Sequence, residues 1–176
     1  MKTLRWSIAL AFLLAFSGLA FGDDDTTSLQ GKLAPDFTLQ TLDGKSVTLS
    51  AQKGSVVMID MWATWCGPCR ASLPHVQKIS QDKALASRGL KVWAVNAKEE
   101  KQTAEKFVNQ NNFTFTVPLD SAGQAMTDYK VTGIPTTVIV GRDGKIKNVF
   151  IGYGPGSDKQ IEDALEAALK ESGPST

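Results

Sequence analysis

The stretch Trp62-Ala63-Thr64-Trp65-Cys66-Gly67-Pro68-Cys69-Arg70 contains the only two cysteines of the 176-residue chain. An apolar, β-branched run over residues 55–61 precedes it and predicts a buried strand. The pattern of residues 71–86, which follow it, predicts a helix. A Cys-x-x-Cys motif at a strand-to-helix turn is typical of a redox-active dithiol. The sequence therefore predicts a thiol–disulfide active site at Cys66 and Cys69.

The spacing of the two cysteines suits this chemistry. Residues i and i+3 share one face of a helix, so the sulfur atoms of Cys66 and Cys69 can meet with little backbone movement. Cys66 is expected at the helix N-terminus, where free N–H groups favour the thiolate and lower a cysteine pKa from about 8.5 to roughly 7 or below. Gly67 leaves room for a second chain, and Pro68 suits the first helical turn. We predict that Cys66 attacks the substrate and that Cys69 resolves the intermediate.

Three other roles compete with redox catalysis for this cysteine pair. A purely structural disulfide is one, but it would close so short a loop that it would stabilise the fold little. Half of a zinc site is another, although the chain has no second cysteine pair and His75 is its only histidine. Binding of Cu(I) by two soft thiolates is the third and stays open.

Residues 1–22 have the pattern of a secretory signal peptide. A positively charged start is followed by an apolar segment, and small residues predict cleavage after Ala20 or Gly22. An uncleaved membrane anchor is the alternative, but the apolar run over residues 6–21 is shorter than the roughly 20 residues of a spanning helix. We therefore expect an extracytoplasmic protein, secreted through its signal peptide into the bacterial periplasm.

The remaining 154 residues are enough for one domain. We expect a flexible leader over residues 23–32, a domain over residues 33–172 and a tail over residues 173–176. Cleavage removes two of the 19 basic residues and none of the 18 acidic ones, so the net charge of the mature chain is −1. This balance gives no electrostatic reason to expect binding to nucleic acid or to a membrane surface.

Strand and helix patterns alternate through the rest of the chain. Short strands around Asp43-Gly44 predict a first hairpin, and the turn at residues 142–145 predicts a second one that ends at residue 151. Further strands are expected at residues 90–96 and 113–117 and, preceded by Gly-Ile-Pro, at residues 136–140, and further helices at residues 99–111, 124–129 and 158–170. This order predicts an α/β fold with a mixed sheet covered by helices on both faces.

The sequence also predicts the local role of several residues outside the cysteine pair. Pro74 lies inside the predicted active-site helix and should bend it. His75 is interpreted as a surface histidine, Arg70 as an exposed cation of little effect, and the charged face of residues 99–111 as solvated. Ser157 or Asp158 is expected to cap the last helix.

Two motifs together resemble the thioredoxin superfamily. Residues 60–69, with Pro74 five positions after Cys69, are similar to the active-site strand and helix of thioredoxin, and Gly133-Ile134-Pro135-Thr136 resembles its cis-proline loop. The opening hairpin, which begins Ala34-Pro35-Asp36-Phe37, and the extra segment over residues 99–117 look more like the secreted TlpA/ResA/CcmG branch. The resemblance spans residues 33–170. It implies a thioredoxin-like fold with an added N-terminal β-hairpin and a central insertion.

The resemblance also implies roles for single residues. Pro135, if its peptide bond is cis, would expose the backbone of Ile134 beside the dithiol, where a substrate segment could pair with it; an ordinary trans proline is the alternative. Asp60 lies in the buried run, so its pKa should be raised and it could take the proton of Cys69, unless it is solvated at the strand end. Trp62 and Trp65 are expected to pack and to form the rim. The residues expected to contact substrate are Trp65, Gly67, Pro68, Ile134 and Pro135.

Members of this branch are extracytoplasmic thiol–disulfide oxidoreductases, often reductants in cytochrome c maturation. We predict an enzyme that reduces disulfides of envelope proteins without a cofactor and is recharged by a membrane electron donor. Some members carry an acidic residue between the cysteines, whereas this chain has Gly67 and Pro68, so no feature marks an apocytochrome specialist.

Two alternatives remain, a Cu(I) chaperone and a thiol peroxidase. Secreted redoxins share the opening hairpin, but Thr64 lies two positions before Cys66, which does not fit the Thr-x-x-Cys spacing of peroxidases. The sequence does not determine the direction of electron flow.

Overall fold

The computed structural model describes residues 25–173. The predicted signal peptide, the first two residues of the predicted leader and residues 174–176 of the predicted tail lie outside the described residues. None of the helices within residues 25–173 combines the length and the apolar character needed to cross a bilayer.

A five-stranded mixed sheet forms the centre of the protein. Its strands, in chain order, are β3 (Val56–Trp62), β4 (Leu90–Ala97), β5 (Leu119–Asp120), β6 (Thr136–Val140) and β7 (Ile146–Ile151). They lie side by side in the order β5-β4-β3-β6-β7. The central strand β3 is parallel to β4 and antiparallel to β6. A separate antiparallel hairpin is formed by β1 (Thr38–Gln40) and β2 (Ser46–Thr48).

Strand β3 separates two apolar cores, because successive side chains of a strand point to opposite faces of the sheet. Val56, Met58 and Trp62 belong to one core, and Val57 and Ile59 belong to the other. All seven residues of β3 are buried, as expected for a strand covered on both faces. Asp60 has the parity of the first core, which also contains both cysteines.

Within residues 25–173, five α-helices flank the sheet. They are α1 (Gly67–Gln81), α2 (Lys83–Ser87), α3 (Lys101–Gln110), α4 (Gln124–Asp128) and α5 (Ser157–Lys170). Buried side chains of α1, α3 and α5 contribute to the first core. The second core is closed by α4 and by residues of the N-terminal hairpin region, among them Phe37 and Leu49. The predicted α/β architecture, with helices on both faces and an added hairpin, is thus confirmed.

Two predicted elements differ from the observed ones. Residues 113–117 do not form a strand of the sheet; a single bridge from Thr116 to Trp93 precedes the two-residue β5. The predicted cap at Ser157 or Asp158 is wrong, since Gly156 caps α5 with a φ of 86° that favours glycine.

The helix predicted over residues 71–86 is two helices. Helix α1 starts earlier, at Gly67, runs through Pro74 and ends at Gln81. Asp82 then adopts an extended conformation, and its carboxylate accepts hydrogen bonds from the backbone N–H groups of Ala84 and Leu85. An aspartate in this position competes with the continuing helix and caps a new one, which explains the break.

The expectation of a loose leader is wrong for residues 25–32. Residues Thr26–Leu29 form a 3₁₀ helix, and Thr26 is fully buried. Its hydroxyl donates to the carbonyl of Lys130 at 3.2 Å. The N–H of Gly31 donates to the carbonyl of Ile146, whose own N–H donates to the carbonyl of Lys32. The segment therefore pairs with the first residue of β7 and belongs to the folded domain.

Candidate active site

Cys66 and Cys69 lie where β3 passes into α1. Cys66 is the N-cap residue, with extended backbone angles, and Gly67 and Pro68 form the first turn, where a proline N–H is not needed. The two sulfur atoms form a disulfide bond across a Cα–Cα distance of 5.2 Å. The backbone N–H of Cys69 donates to Sγ of Cys66 at 3.1 Å. The sulfur that faces the helix N-terminus is therefore that of Cys66.

The two cysteines differ in accessibility. Cys69 is completely buried, and Cys66 retains an exposed fraction of 4%. Trp65, immediately before the disulfide, is 71% exposed. A partner that approaches over Trp65 can thus reach only one of the two sulfur atoms.

The loop before β6 faces the disulfide. The Ile134–Pro135 peptide bond is cis, and the carbonyl oxygen of Ile134 lies 3.5 Å from Sγ of Cys66. This is a contact and not a hydrogen bond, since a disulfide sulfur carries no hydrogen. The carbonyl of Pro135 accepts a 2.7 Å hydrogen bond from the N–H of Gly152, which ties the loop to the end of β7. Of the residues expected to contact substrate, Ile134 touches the disulfide directly.

Asp60 is buried in the middle of β3, with an exposed fraction of 1%. Its Oδ1 accepts a hydrogen bond from the hydroxyl of Thr137 at 2.7 Å, and its Oδ2 has no hydrogen-bond partner among residues 25–173. Burial raises the pKa of Asp60 to about 6, although the Thr137 hydrogen bond and the charge of His75 oppose the rise. The carboxyl group can therefore exchange a proton near neutral pH, which an ordinary aspartate does not do.

The interpretation of His75 as a surface histidine is wrong. The side chain is buried between α1 and α5, with Nδ1 at 3.0 Å from Asp158 and Nε2 at 3.1 Å from Glu162. Glu162 also binds Lys78. No sequence pattern indicated this pairing, because 83 and 87 residues separate His75 from its two partners.

Thr64 is held by two charged side chains that sequence reasoning treated as solvated. Glu99 accepts hydrogen bonds from the N–H of Thr64 at 2.8 Å and from its hydroxyl at 2.6 Å. Arg70 donates from Nε to the carbonyl of Thr64 at 2.7 Å, and its guanidinium lies 5.4 Å from the ring centre of Phe107. Every polar group of Thr64 is therefore engaged, two positions before Cys66.

The remaining tryptophan of the motif belongs to the core. Trp62 is fully buried, donates from Nε1 to the carbonyl of Ala94 at 3.1 Å and packs against Phe107. Across residues 25–173, no group of three or more His, Cys, Asp or Glu side chains is arranged to hold a metal ion.

Comparison with protein families places the chain among known proteins. The model of the family described as Redoxin matches residues 29–165. This chain belongs to the redoxin family. The match covers the cysteine pair, the cis-proline loop and most of α5.

Two curated relatives align with most of the chain. Thiol-disulfide oxidoreductase ResA of Geobacillus thermodenitrificans is 31% identical over 150 residues, which is 83% of this redoxin and 85% of that protein. Thioredoxin-like protein YneN of Bacillus subtilis is 29% identical over 168 residues, which is 92% of this chain and 97% of that protein.

Solved structures agree with the fold. A crystal structure assigned as a thiol:disulfide interchange protein DsbE from Chlorobium tepidum is 38% identical, with a TM-score of 0.74 over 80% of this chain and 97% of that one. StoA from Bacillus subtilis is 28% identical, with a TM-score of 0.64 over 75% of this chain and 97% of that one. The resemblance to the thioredoxin superfamily and its ResA/CcmG-like branch is thus confirmed.

Proposed function

We propose that this thiol–disulfide oxidoreductase reduces disulfide bonds of extracytoplasmic proteins. The observation that carries the proposal is the Cys66–Cys69 disulfide, in which one sulfur caps a helix beside the cis-proline loop and the other is completely buried. ResA- and DsbE-type names of the relatives support thiol–disulfide exchange, and the signal-peptide pattern of residues 1–22 supports an extracytoplasmic site of action.

In the first step, the thiolate of Cys66 attacks one sulfur of the substrate disulfide. A mixed disulfide forms, the substrate S–S bond breaks, and the departing substrate thiolate takes a proton from solvent. The Cys69 N–H, which donates to Sγ of Cys66, and the helix N-terminus stabilise the negative charge of the attacking sulfur. The backbone of Ile134 and the exposed face of Trp65 are the surfaces offered to the substrate segment.

In the second step, Cys69 resolves the mixed disulfide. Its thiol gives its proton to the carboxylate of Asp60, and the resulting thiolate attacks Sγ of Cys66. The Cys66–Cys69 disulfide forms again, the second substrate sulfur leaves as a thiolate that takes a proton from solvent, and Asp60 releases the Cys69 proton to solvent. The substrate gains two electrons and two protons, both electrons coming from the dithiol, so a membrane electron donor must restore the reduced enzyme. Apocytochrome c is one candidate substrate, although Gly67 and Pro68 are not a mark of that specialisation.

The mechanism is tested by trapping the mixed disulfide. Reduced Cys69→Ser protein, incubated with a disulfide-containing protein, should accumulate a covalent adduct on a non-reducing gel, and Cys66→Ser should accumulate none. Absence of an adduct for Cys69→Ser, while the wild type reduces the same substrate, would rule the mechanism out.

The direction of electron flow is tested by the reduction potential of the Cys66–Cys69 pair, measured by equilibration with glutathione or dithiothreitol buffers. A value near or below about −250 mV supports a reductant that needs a donor. A value near roughly −120 mV would make the protein an oxidant and refute the proposed direction.

Peroxide reduction is a second candidate function, because the chain belongs to the redoxin family and has the opening hairpin that secreted redoxins share. The hydroxyl of Thr64 donates to Glu99, so it is not directed toward a peroxide at Cys66. We therefore expect hydrogen peroxide consumption by the reduced enzyme to be far slower than its reduction of a protein disulfide. A peroxide-consumption assay with a thiol donor decides between the two.

A further inference from the structure

The turn that carries the exposed Trp65 is anchored through the residue before it. Thr64 makes three hydrogen bonds to charged side chains, two to Glu99 and one to Arg70. The N–H of Cys66 donates to the carbonyl of Ala63 at 3.2 Å, which closes the turn. Trp65 itself lies between these fixed points with 71% of its surface exposed.

Glu99 lies in the loop between β4 and α3, and besides its bonds to Thr64 it accepts two further hydrogen bonds. Its Oε2 accepts from the side-chain amide of Asn96 at 2.7 Å, and Asn96 is fully buried at the end of β4. Its backbone carbonyl accepts from the hydroxyl of Ser121 at 2.9 Å. The carboxylate thus connects a buried strand end to the active-site turn through its hydrogen bonds to Asn96 and Thr64.

These hydrogen bonds reduce the conformational entropy that the active-site turn loses when a substrate binds. A protein segment that docks on Trp65 must meet a single conformation of the turn, and a turn that is already rigid loses little entropy on association. Without Glu99, Thr64 keeps only the hydrogen bond from the exposed side chain of Arg70. The effect should therefore concern the binding of large substrates and not the exchange chemistry.

We propose that Glu99 is a positioning residue of this enzyme, which holds Thr64 so that Trp65 and Cys66 are presented to a protein substrate in one fixed conformation. The inference rests on the proposed reduction of protein disulfides.

Three variants test this role. Glu99→Ala removes all of the side-chain hydrogen bonds. Glu99→Gln keeps their geometry, because its amide oxygen can accept from the N–H of Thr64 and from Asn96 while its amide nitrogen donates to the Thr64 hydroxyl. Glu100→Ala is the matched control, since it removes a carboxylate from the next residue, which is exposed and makes no side-chain cap of α3.

The first readout is amide hydrogen exchange, followed residue by residue by NMR on the oxidised proteins. In Glu99→Ala the Thr64 amide should exchange at least about tenfold faster, because it has lost its acceptor. The second readout is steady-state reduction of a disulfide-containing protein and of the small neutral hydroxyethyl disulfide. Glu99→Ala should raise KM for the protein about tenfold, with kcat changed less than about twofold and with unchanged turnover of the small disulfide. Glu99→Gln and Glu100→Ala should behave like the wild type.

An unchanged KM for the protein substrate in Glu99→Ala overturns the proposal, whatever the exchange rate of Thr64. Equal impairment of Glu99→Gln and Glu99→Ala also overturns it, because the hydrogen bonds would then not be the cause. Failure of the proposed function has a different signature: the wild type itself would reduce neither disulfide, while the loss of Thr64 protection in Glu99→Ala would still be measured.

Discussion

At the scale of single residues, the unusual group is the carboxyl of Asp60, which is enclosed in the sheet and has one oxygen without a hydrogen-bond partner in the described chain. Burial raises its pKa from 3.8 to about 6, so the folded state favours the neutral acid. The stability that this provides is complete below pH 3.8 and is lost as the pH rises through about 6. The group thus destabilises the folded protein at the pH where it would accept a proton.

Replacing Asp60 by Asn should remove the loss of stability with rising pH, because the amide stays neutral and its oxygen still accepts from Thr137. The free energy of unfolding of Asp60→Asn relative to wild type should rise by up to about 3 kcal/mol between pH 4 and pH 8. Urea unfolding of both oxidised proteins at the two pH values measures it. Parallel curves for the two proteins would contradict a raised pKa.

Asp43→Asn is the matched control with the opposite sign. Hydrogen bonds from Lys45 and Thr41 lower the pKa of the exposed Asp43 to about 2. Its carboxylate therefore favours folding above the unfolded pKa, and this contribution is lost as the pH falls through about 2. Asp43→Asn should become less stable relative to wild type as the pH rises from 2 to 5.

Trp65 is highly exposed and is proposed to contact the protein substrate. Trp65→Ala should change the free energy of unfolding by no more than about 0.5 kcal/mol, because 71% of the residue is already exposed. It should nevertheless raise KM for a protein disulfide several-fold, since an exposed aromatic surface is lost. Leu33→Ala is the control: Leu33 is 69% exposed and lies beside the β6–β7 turn, at the other end of β6 from the cis-proline loop. Equal KM values for the two variants would argue against substrate binding at Trp65.

At the scale of elements, His75 connects α1 to α5. Its ring nitrogens lie 3.0 and 3.1 Å from carboxylate oxygens of Asp158 and Glu162, which would otherwise be two like charges one turn apart on α5. The active-site helix is therefore attached to the C-terminal helix by a buried polar group, close to the apolar contacts of the first core.

His75→Ala should lower the free energy of unfolding by about 2–3 kcal/mol, because it removes the packing of a buried side chain and its part-buried contacts with two carboxylates. Lys78→Ala breaks a bond to the same Glu162 from a side chain that is 75% exposed, and should cost about 1 kcal/mol or less. Urea unfolding at pH 7 compares them. Similar losses for both variants would mean that the buried histidine contributes no more than a surface ion pair.

At the scale of the whole molecule, residues 25–32 complete the domain. Two backbone hydrogen bonds join Gly31 and Lys32 to Ile146, and the buried hydroxyl of Thr26 reaches the carbonyl of Lys130. A chain that starts at residue 33 should lose about 2–4 kcal/mol of stability relative to one that starts at residue 25, since it lacks the two backbone hydrogen bonds to Ile146 and the buried Thr26 side chain. Thermal or urea unfolding of the two chains measures the difference. Equal stability would restore the interpretation of these residues as a loose leader.

Much of the fold follows from local patterns. The apolar run of residues 55–61 specifies a strand buried on both faces, and the Cys-x-x-Cys motif with Pro68 specifies a helix start directly after it, because burial periodicity and first-turn preferences act over a few residues. The same local information predicted the two hairpins, and the Gly-Ile-Pro-Thr motif predicted the cis bond at Pro135 by resemblance. It failed at residues 113–117, where a β-branched and aromatic run makes only one bridge, since strand pairing depends on what lies alongside.

The sequence by itself determined the fold class, the central strand β3, the cysteine pair and its place at a helix N-terminus. Only the tertiary structure decided which distant polar side chains pair with the active-site helix and with the turn before it. His75 and Glu99 look like ordinary polar positions, but chain folding brings them to partners 83, 87 and 35 residues away. The physical reason is that a helix or strand is specified by neighbouring residues, whereas a buried hydrogen bond depends on groups from distant segments that meet only when both sides of the sheet are covered.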